Sequence, residues 1–296
     1  MSRQKTEIGS TPADSKYKIV VTNNGPYLVY GKPPFAQQFI MPNALGESWY
    51  FQQGKSFSTE SEPTALCRCG ASKNRPYCDN SHTKAEWNPK NRASKAGLLD
   101  NIEITSADVI SITDNRKYCT FARFCDAATG IWTLTEASDD SFARKLAIRQ
   151  ASLCPGGRLM AWDNDADRPY EPKYKPSLGL IEDNIISASG GLWVRGGISI
   201  EDENGDKYEI RNRTVLCRCG KSSNKPYCDG THAAAGWRDG LEGIPEGITV
   251  PEEVYQHYLL PLLYRNTSLT RHIDLTFTTT KSRSILLSCG IDIGTA

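Results

Sequence analysis

Hydrophobic and polar positions alternate in two short segments of the chain, and a glycine opens each of them. Residues 25–31 read GPYLVYG and residues 190–196 read GGLWVRG. A period of two is typical of a half-buried β-strand, so both segments are predicted strands. Between them, Phe142, Leu146 and Gln150 follow helical spacing after an Asp-Ser opening, which predicts a helix over residues 139–151. The pattern therefore indicates an α+β chain that is rich in strands.

Composition disfavours two classes of protein, membrane proteins and nucleic-acid-binding proteins. No apolar run approaches the roughly 20 residues that cross a bilayer, which predicts no membrane association. The apolar content is 39% and the mean hydropathy is -0.48. Lys plus Arg number 35 against 34 Asp plus Glu, which disfavours nucleic acid as the main partner. The polar first 16 residues have neither a secretory nor a transit pattern, so we expect a cytoplasmic protein. In a reducing compartment its ten cysteines favour metal ligands or reactive thiols over disulfides.

A block of seventeen residues occurs twice. Residues 66–82 read LCRCGASKNRPYCDNSH, and residues 216–232 read LCRCGKSSNKPYCDGTH, at a constant offset of 150. The match extends to Trp87 and Trp237, each five residues beyond the histidine that closes its block. A repeat of this kind indicates two copies of one small structural module.

Each block contains three cysteines and one histidine with the spacing C-x-C-x8-C-x3-H. The eight residues are Cys67, Cys69, Cys78 and His82, then Cys217, Cys219, Cys228 and His232. Side chains two apart on an extended segment share a face, and side chains four apart share a helical face. Because Pro76 suits a helix start, we expect the third cysteine and the histidine on the first turn of a helix. Each block then offers two pairs of ligands, which suits a binuclear 2Fe-2S cluster. A Cys3His zinc site remains the alternative.

Both blocks resemble the CDGSH iron-sulfur motif of the mitoNEET-related family, C-x-C-x2-(S/T)-x3-P-x-C-D-G-(S/A/T)-H. The second block fits every position, and the first has Asn80 where the family has glycine. Asn tolerates left-handed backbone conformations, so the turn is expected to persist. The resemblance implies one 2Fe-2S cluster per module, bound by three cysteines and one histidine. It also implies a small β-rich fold in which two modules pair, here within one chain.

The histidine ligand has consequences for redox chemistry. A cluster on three thiolates and a neutral imidazole has one negative charge fewer than a cluster on four thiolates, so adding an electron is easier. Imidazole also titrates nearer neutral pH than a thiolate, which predicts that reduction or cluster release is coupled to proton uptake. Ser72 and Ser222 either donate to a sulfide or shape the turn. Basic residues beside the ligands are expected on the solvated surface: Arg68, Arg218, Lys73 and Lys221.

A third group of cysteines lies between the modules. Cys119 and Cys125 are six positions apart, and Cys154 precedes Pro155 and two glycines. This segment resembles a divergent single-cluster ferredoxin domain in which Ala122 occupies the position of the middle cysteine. The resemblance implies a 3Fe-4S cluster, or a 4Fe-4S cluster with a non-cysteine ligand on one iron. A small α+β domain with free thiols is the alternative.

These observations predict four regions and a class of function. The regions are a CDGSH module at 16–92, a ferredoxin-like domain at 100–172, a second CDGSH module at 182–240, and an extension of unknown role at 241–296. No catalytic constellation or nucleotide-binding fingerprint is recognisable, so we expect no enzyme. The leading prediction is electron transfer or redox sensing with a redox partner protein. Cluster storage or delivery to an apo-acceptor protein is the second hypothesis, and a structural zinc protein is the third.

Overall fold

The computed structural model describes residues 10–241 and 243. Nearly all of the predicted extension at 241–296 lies outside the described residues. The strands of the first module are β1 (Lys18–Val21), β2 (Tyr27–Tyr30), β3 (Phe35–Pro42), β4 (Ser48–Phe57) and β5 (Thr64–Leu66). The elements of the second module are β10 (Ser177–Asp183), β11 (Ala188–Arg195), β12 (Ser199–Asp202), β13 (Arg213–Leu216) and α3 (Thr231–Ala234).

The two modules share strands. One sheet has the order β12-β1-β2-β5, and a second has the order β13-β11-β10-β3-β4. Strand β12 of the second module lies parallel to β1, and β3 of the first module lies parallel to β10. The second module therefore contributes β12 to the first sheet, and the first module contributes β3 and β4 to the second sheet. The strands predicted within residues 25–31 and 190–196 correspond to β2 and β11, which occupy interior positions in these two sheets.

The core of the paired modules lies where these sheets meet. Alternate residues of β1 and β2 are buried, and for β2 the period-two pattern predicts this. Ile19, Tyr27 and Val29 belong to the same apolar cluster as Leu180 and Leu192 of the second module. Because side chains of both modules fill one cluster, the two blocks with metal-ligand spacing are held close to each other.

The segment between the modules is an α+β unit. Its elements are β6 (Glu103–Ser106), β7 (Ile110–Asp114), α1 (Ile131–Glu136), α2 (Ser141–Leu153), β8 (Leu159–Asp163) and β9 (Arg168–Pro169). The antiparallel sheet has the order β6-β7-β8-β9. Helix α2 begins at Ser141 because Asp140 accepts hydrogen bonds from the N–H groups of Phe142 and Ala143. It ends before Cys154, the residue that precedes Pro155, where helical geometry is disfavoured.

The overall class, α+β and rich in strands, is confirmed by this element order. The prediction of a helix from Pro76 is wrong. Only a short 3-10 helix, Ser81–Thr83, follows the third cysteine of the first block, and α3 begins at Thr231 in the second. The segment that begins at Pro76 instead runs beside β5, where the Cys67 N–H donates to the Pro76 carbonyl. Among the described helices, none is long and apolar enough to span a bilayer.

Candidate metal centres

The four predicted ligands of each block form two close pairs. We call Cys67, Cys69, Cys78 and His82 site 1, and Cys217, Cys219, Cys228 and His232 site 2. The first two thiols of each site lie just after β5 or β13, with 3.7 Å between their Sγ atoms in both sites. The extended backbone at the strand end places these residues on one face, as the spacing predicts.

The second pair joins the third cysteine to the histidine. The Sγ of Cys78 lies 3.5 Å from Nδ1 of His82, and the Sγ of Cys228 lies 3.4 Å from Nδ1 of His232. Nδ1 is therefore the ring nitrogen that faces the thiol in both sites. The short helical turn after Asp79 or Asp229 brings the histidine back towards the cysteine, and so replaces the longer helix that the spacing predicts.

Hydrogen bonding favours an ionised thiol at the first position of each pair. The pKa of Cys67 is lowered to about 6, because the Cys69 thiol donates to its sulfur and backbone N–H groups such as that of Ser72 also donate. The pKa of Cys217 is lowered to about 6 by the same arrangement with Cys219. A thiolate is the form of cysteine that binds metal, so the neighbouring thiol, together with backbone N–H groups, prepares one ligand of each site.

Polar side chains within each block fix the turn that positions the third cysteine. The Ser72 hydroxyl donates to the Tyr77 carbonyl at 2.6 Å and accepts from the Asn74 N–H at 3.1 Å. Ser222 makes the equivalent bonds in site 2. Of the two roles considered for these serines, the structure supports shaping the turn. The Asp79 carboxylate accepts from the Ser81 N–H, at the start of the short helix, and from the Lys73 N–H, so it ties the two ends of the turn together.

Two arginines that the sequence places on the surface are buried. Arg68 is 1% exposed and Arg218 is 5% exposed, so the prediction of solvated side chains is wrong for both, whereas Lys73 and Lys221 are exposed. Arg68 donates to backbone carbonyls, including those of Gly25 and Thr22. These bonds satisfy the guanidinium donors and tie the ligand segment to other strands.

Arg218 likewise donates to backbone carbonyls, those of Gly190 and Ile181, but it also has charged partners. It forms ion pairs with Glu182 of β10 and with Asp239. Burial raises the pKa of Glu182 to about 7. The positive charge of Arg218 opposes this rise, and the nearby carboxylate of Asp239 adds to it. For Asp239 the effect of burial is outweighed, chiefly by Arg218, so the pKa of that carboxyl is lowered. The sequence pattern contains no signal that the arginine between the first two cysteines of each block is buried in the core.

The two sites meet through their glycines. Gly70 and Gly220 follow the second cysteine of each site and have φ angles of 76° and 74°. A Cβ atom on Gly70 would lie 2.5 Å from the carbonyl oxygen of Cys219, and a Cβ on Gly220 would overlap the carbonyl oxygen of Cys69. Both positions therefore require glycine, and this reciprocal contact brings the two ligand loops within van der Waals distance of each other.

The donor sets fit the group that their spacing predicts. In each site two thiols form one pair, and a thiol and an imidazole form another, as a two-iron cluster with two protein ligands on each iron requires. Within residues 10–241 and 243, no three His, Cys, Asp or Glu side chains converge on a point that would suit one metal ion.

Site 2 is more deeply buried than site 1. Cys228 and His232 are 3% and 4% exposed, whereas Cys78 and His82 are partly exposed. Burial, reinforced by nearby Arg218, lowers the pKa of His232 to about 4. The imidazole is therefore neutral near pH 7, the form in which it binds a metal. Burial also raises the pKa of Cys228.

The three cysteines of the middle segment interact electrostatically but form no close pair like those of the two sites. Cys119 ends a short 3-10 helix, Cys125 lies within another, and Cys154 follows α2. Burial raises the pKa of Cys154, with a smaller contribution from the charge of Cys119. Burial also raises the pKa of Cys125, and the charge of Cys154 adds to this rise. Arg213 donates to the Cys154 carbonyl at 2.6 Å.

Comparison with known proteins identifies the repeated regions. Residues 24–83 and 189–233 each match the family model described as iron-binding zinc finger CDGSH type. Two regions of the chain are therefore similar to the CDGSH family, which supports iron-sulfur binding. The two matched ranges end at or just beyond His82 and His232 and include all eight residues of sites 1 and 2. No curated protein and no solved structure matched the chain.

Proposed function

We propose that the chain is an iron-sulfur protein that transfers electrons or senses redox state through two 2Fe-2S clusters, one in site 1 and one in site 2. The observation that supports this most directly is the repeated geometry: two thiols at 3.7 Å and a thiol-imidazole pair at about 3.5 Å in both blocks. Such a cluster accepts and returns one electron.

The surrounding residues suit that role. Cys67 and Cys217, with pKa values lowered to about 6, are ready thiolate ligands. The neutral imidazoles reduce the negative charge of the ligand set, which favours the reduced state. The contact between Gly70 and Cys219 places the two ligand loops side by side, so an electron can pass from one site to the other over a short distance.

We further propose that the two modules act as an intrachain pair. The parallel pairing of β1 with β12 and of β3 with β10 supports this, because neither sheet is complete without a strand from the other module. In this respect the pair is equivalent to an isologous dimer whose subunits have been joined.

The middle segment is proposed to bind a third cluster, of the 3Fe-4S or 4Fe-4S type, through Cys119, Cys125 and Cys154. Its support is the electrostatic proximity of these three thiols and the Cys-Pro junction after α2. The partner would be a redox protein of a reducing compartment such as the cytoplasm.

Delivery of a cluster to an apo-acceptor protein is the second candidate. The observation that favours it is the partial exposure of Cys78 and His82, the pair that contains the single imidazole ligand of site 1. A relay retains its clusters through repeated reduction and oxidation, whereas a donor loses colour as the acceptor gains it.

The test is spectroscopy and elemental analysis of the purified full chain. We expect visible iron-sulfur absorption and at least four irons and four sulfides per chain, rising to seven or eight irons if the middle centre is assembled. Colourless protein with stoichiometric zinc and no sulfide would overturn the proposal and establish the zinc alternative instead.

A further inference from the structure

Equivalent residues of the two sites differ in exposure, although their sequences are nearly identical. Tyr227, Cys228 and His232 are buried at 2–4% exposure, whereas Tyr77, Cys78 and His82, each 150 positions earlier, are partly exposed. The ligand geometry within the sites is the same to about 0.1 Å. The difference therefore arises from what packs against each site from outside.

Residues 117–124, which we call the covering loop, pack against site 2. The ring of Tyr118 contacts the ring of Tyr227 edge-on, with 5.0 Å between the centroids. The Asn224 side chain donates to the Lys117 carbonyl at 3.0 Å. Ala122 and Phe124 share an apolar cluster with Cys228 itself.

The one glycine by which the two motifs differ lies under this loop. A Cβ atom on Gly230 would lie 3.1 Å from the Cβ of Phe121 and 3.4 Å from the carbonyl oxygen of Cys119. The equivalent residue of site 1 is Asn80, which is exposed and has a φ angle of 66°. Asn80 and Gly230 both have left-handed backbone conformations, so backbone conformation does not explain why the two motifs differ at this position. A side chain at position 230 would therefore press against the covering loop, whereas the side chain of Asn80 is exposed.

We propose that the covering loop makes site 2 a retained, internal centre and leaves site 1 as the exchangeable one, through which an acceptor protein or a chelator reaches the chain. The physical reason is access. Removal of iron requires a competing ligand to approach the cysteine-histidine pair, and in site 2 the loop occupies that approach. This inference rests on the proposed function, because it concerns the fate of clusters in the two sites.

The experiment follows cluster loss from the full chain at fixed pH with an excess of the iron chelator EDTA. Aliquots are alkylated as the visible absorption falls, and peptides are analysed by mass spectrometry, so the cysteines released at each time are identified directly. We expect two phases that differ at least tenfold in rate. Cys67, Cys69 and Cys78 become alkylated in the fast phase, and Cys217, Cys219 and Cys228 in the slow phase.

A matched pair of variants tests the loop. Gly230→Asn gives site 2 the residue of site 1 and forces Phe121 away, so the slow phase should accelerate at least threefold. Asn80→Gly makes the reverse change where no loop packs, and both phases should stay as in the wild type. If Gly230→Asn does not fold, Asn224→Ala removes the bond to Lys117 and should also accelerate the slow phase, with Asn74→Ala as its control.

Two results would overturn the inference. One is simultaneous alkylation of both sets of cysteines in the wild type, and the other is a slow phase that stays unchanged in both loop variants. Failure of the proposed function is distinct, since a chain without stoichiometric iron and sulfide has no absorption to lose.

Discussion

At the scale of single residues, Gly70 and Gly220 are the most constrained positions between the two sites. Each has a positive φ angle and lies against a backbone carbonyl of the opposite module. We expect Gly70→Ala and Gly220→Ala each to lower the free energy of unfolding by about 2–4 kcal/mol, because left-handed strain of about 1 kcal/mol adds to a steric conflict that backbone atoms cannot relieve. Urea unfolding followed by tryptophan fluorescence measures the change.

Gly46 provides the control for these variants. Its φ angle is 78°, but nothing lies within 4 Å of the Cβ that alanine would add. Gly46→Ala should therefore cost only the backbone strain, about 1 kcal/mol. Equal losses for Gly46→Ala and Gly70→Ala would mean that the contact between the ligand loops contributes nothing to stability.

The histidine ligands lead to a second prediction at this scale. In His82→Cys and His232→Cys a thiolate replaces a neutral imidazole and adds one negative charge to the ligand set. We expect the reduction potential of the altered site to fall, because an added electron meets more negative charge. A potentiometric titration monitored by electron paramagnetic resonance reports each site, and the unaltered site of each variant is the internal control. An unchanged or raised potential would contradict histidine ligation.

The residue scale also shows what sequence can and cannot predict. The spacing predicts both ligand pairs, although in site 1 the second pair is formed by a left-handed residue, Asn80, and a short helical turn instead of the helix expected from Pro76. The burial of Arg68 and Arg218 could not be predicted in this way. Their partners include the carbonyls of Thr22, Asn23 and Gly25 for Arg68, and the carboxylates of Glu182 and Asp239 for Arg218, all distant in sequence. Only the folded chain brings such partners to the guanidinium groups.

At the scale of elements, the sequence predicts those helices and strands whose formation depends on residues within the same element. Alternation predicts β2 and most of β11, and the Asp-Ser opening predicts α2 to within two residues at each end. The helix predicted from Pro76 is wrong because Cys67 and Pro76 form a backbone hydrogen bond beside β5. The pairing of β1 with β12 joins strands about 180 residues apart. Alternation specifies which face of a strand is buried but not which strand lies beside it.

Strand β10 contributes a pH-dependent interaction through Glu182. Its pKa is raised from 4.5 to about 7 in the folded chain, mainly by burial. The folded state therefore binds this proton more tightly than the unfolded state, and the resulting stabilisation is full below pH 4.5 and is lost as the pH rises through 7. The loss is on the order of 3 kcal/mol. Because a glutamine side chain cannot ionise, Glu182→Gln should not show this loss.

The measurement compares the free energy of unfolding of wild type and Glu182→Gln at pH 5 and pH 8. The advantage of the wild type over the variant should shrink, or reverse, towards the higher pH. Cluster lability in acid affects both proteins alike and cancels in the difference. Glu86→Gln changes an exposed glutamate and should reproduce the wild-type profile. Parallel profiles for wild type and Glu182→Gln would show that Glu182 stays ionised in the folded chain.

At the scale of the whole molecule, the three groups of cysteines lie in a spatial order that differs from their order in the sequence. The loops of sites 1 and 2 meet at Gly70 and Gly220, and the covering loop brings Cys119 against Gly230 of site 2. Site 2 therefore contacts both site 1 and the middle segment, although the middle segment separates the two modules along the chain. If all three centres are assembled, this order gives a relay with site 2 as its interior member.

That relay requires a centre in the middle segment, and substitution of Cys125 tests for it. Cys125 lies outside the covering loop, so its loss leaves the cover of site 2 in place. We expect Cys125→Ser to remove three or four irons per chain while the absorption of the two 2Fe-2S clusters remains, because a cluster with only two remaining cysteines is not retained. Cys78→Ser, the matched change in site 1, should remove only two irons. Wild-type and Cys125→Ser proteins with the same four irons would identify the middle cysteines as free thiols and limit electron transfer to sites 1 and 2.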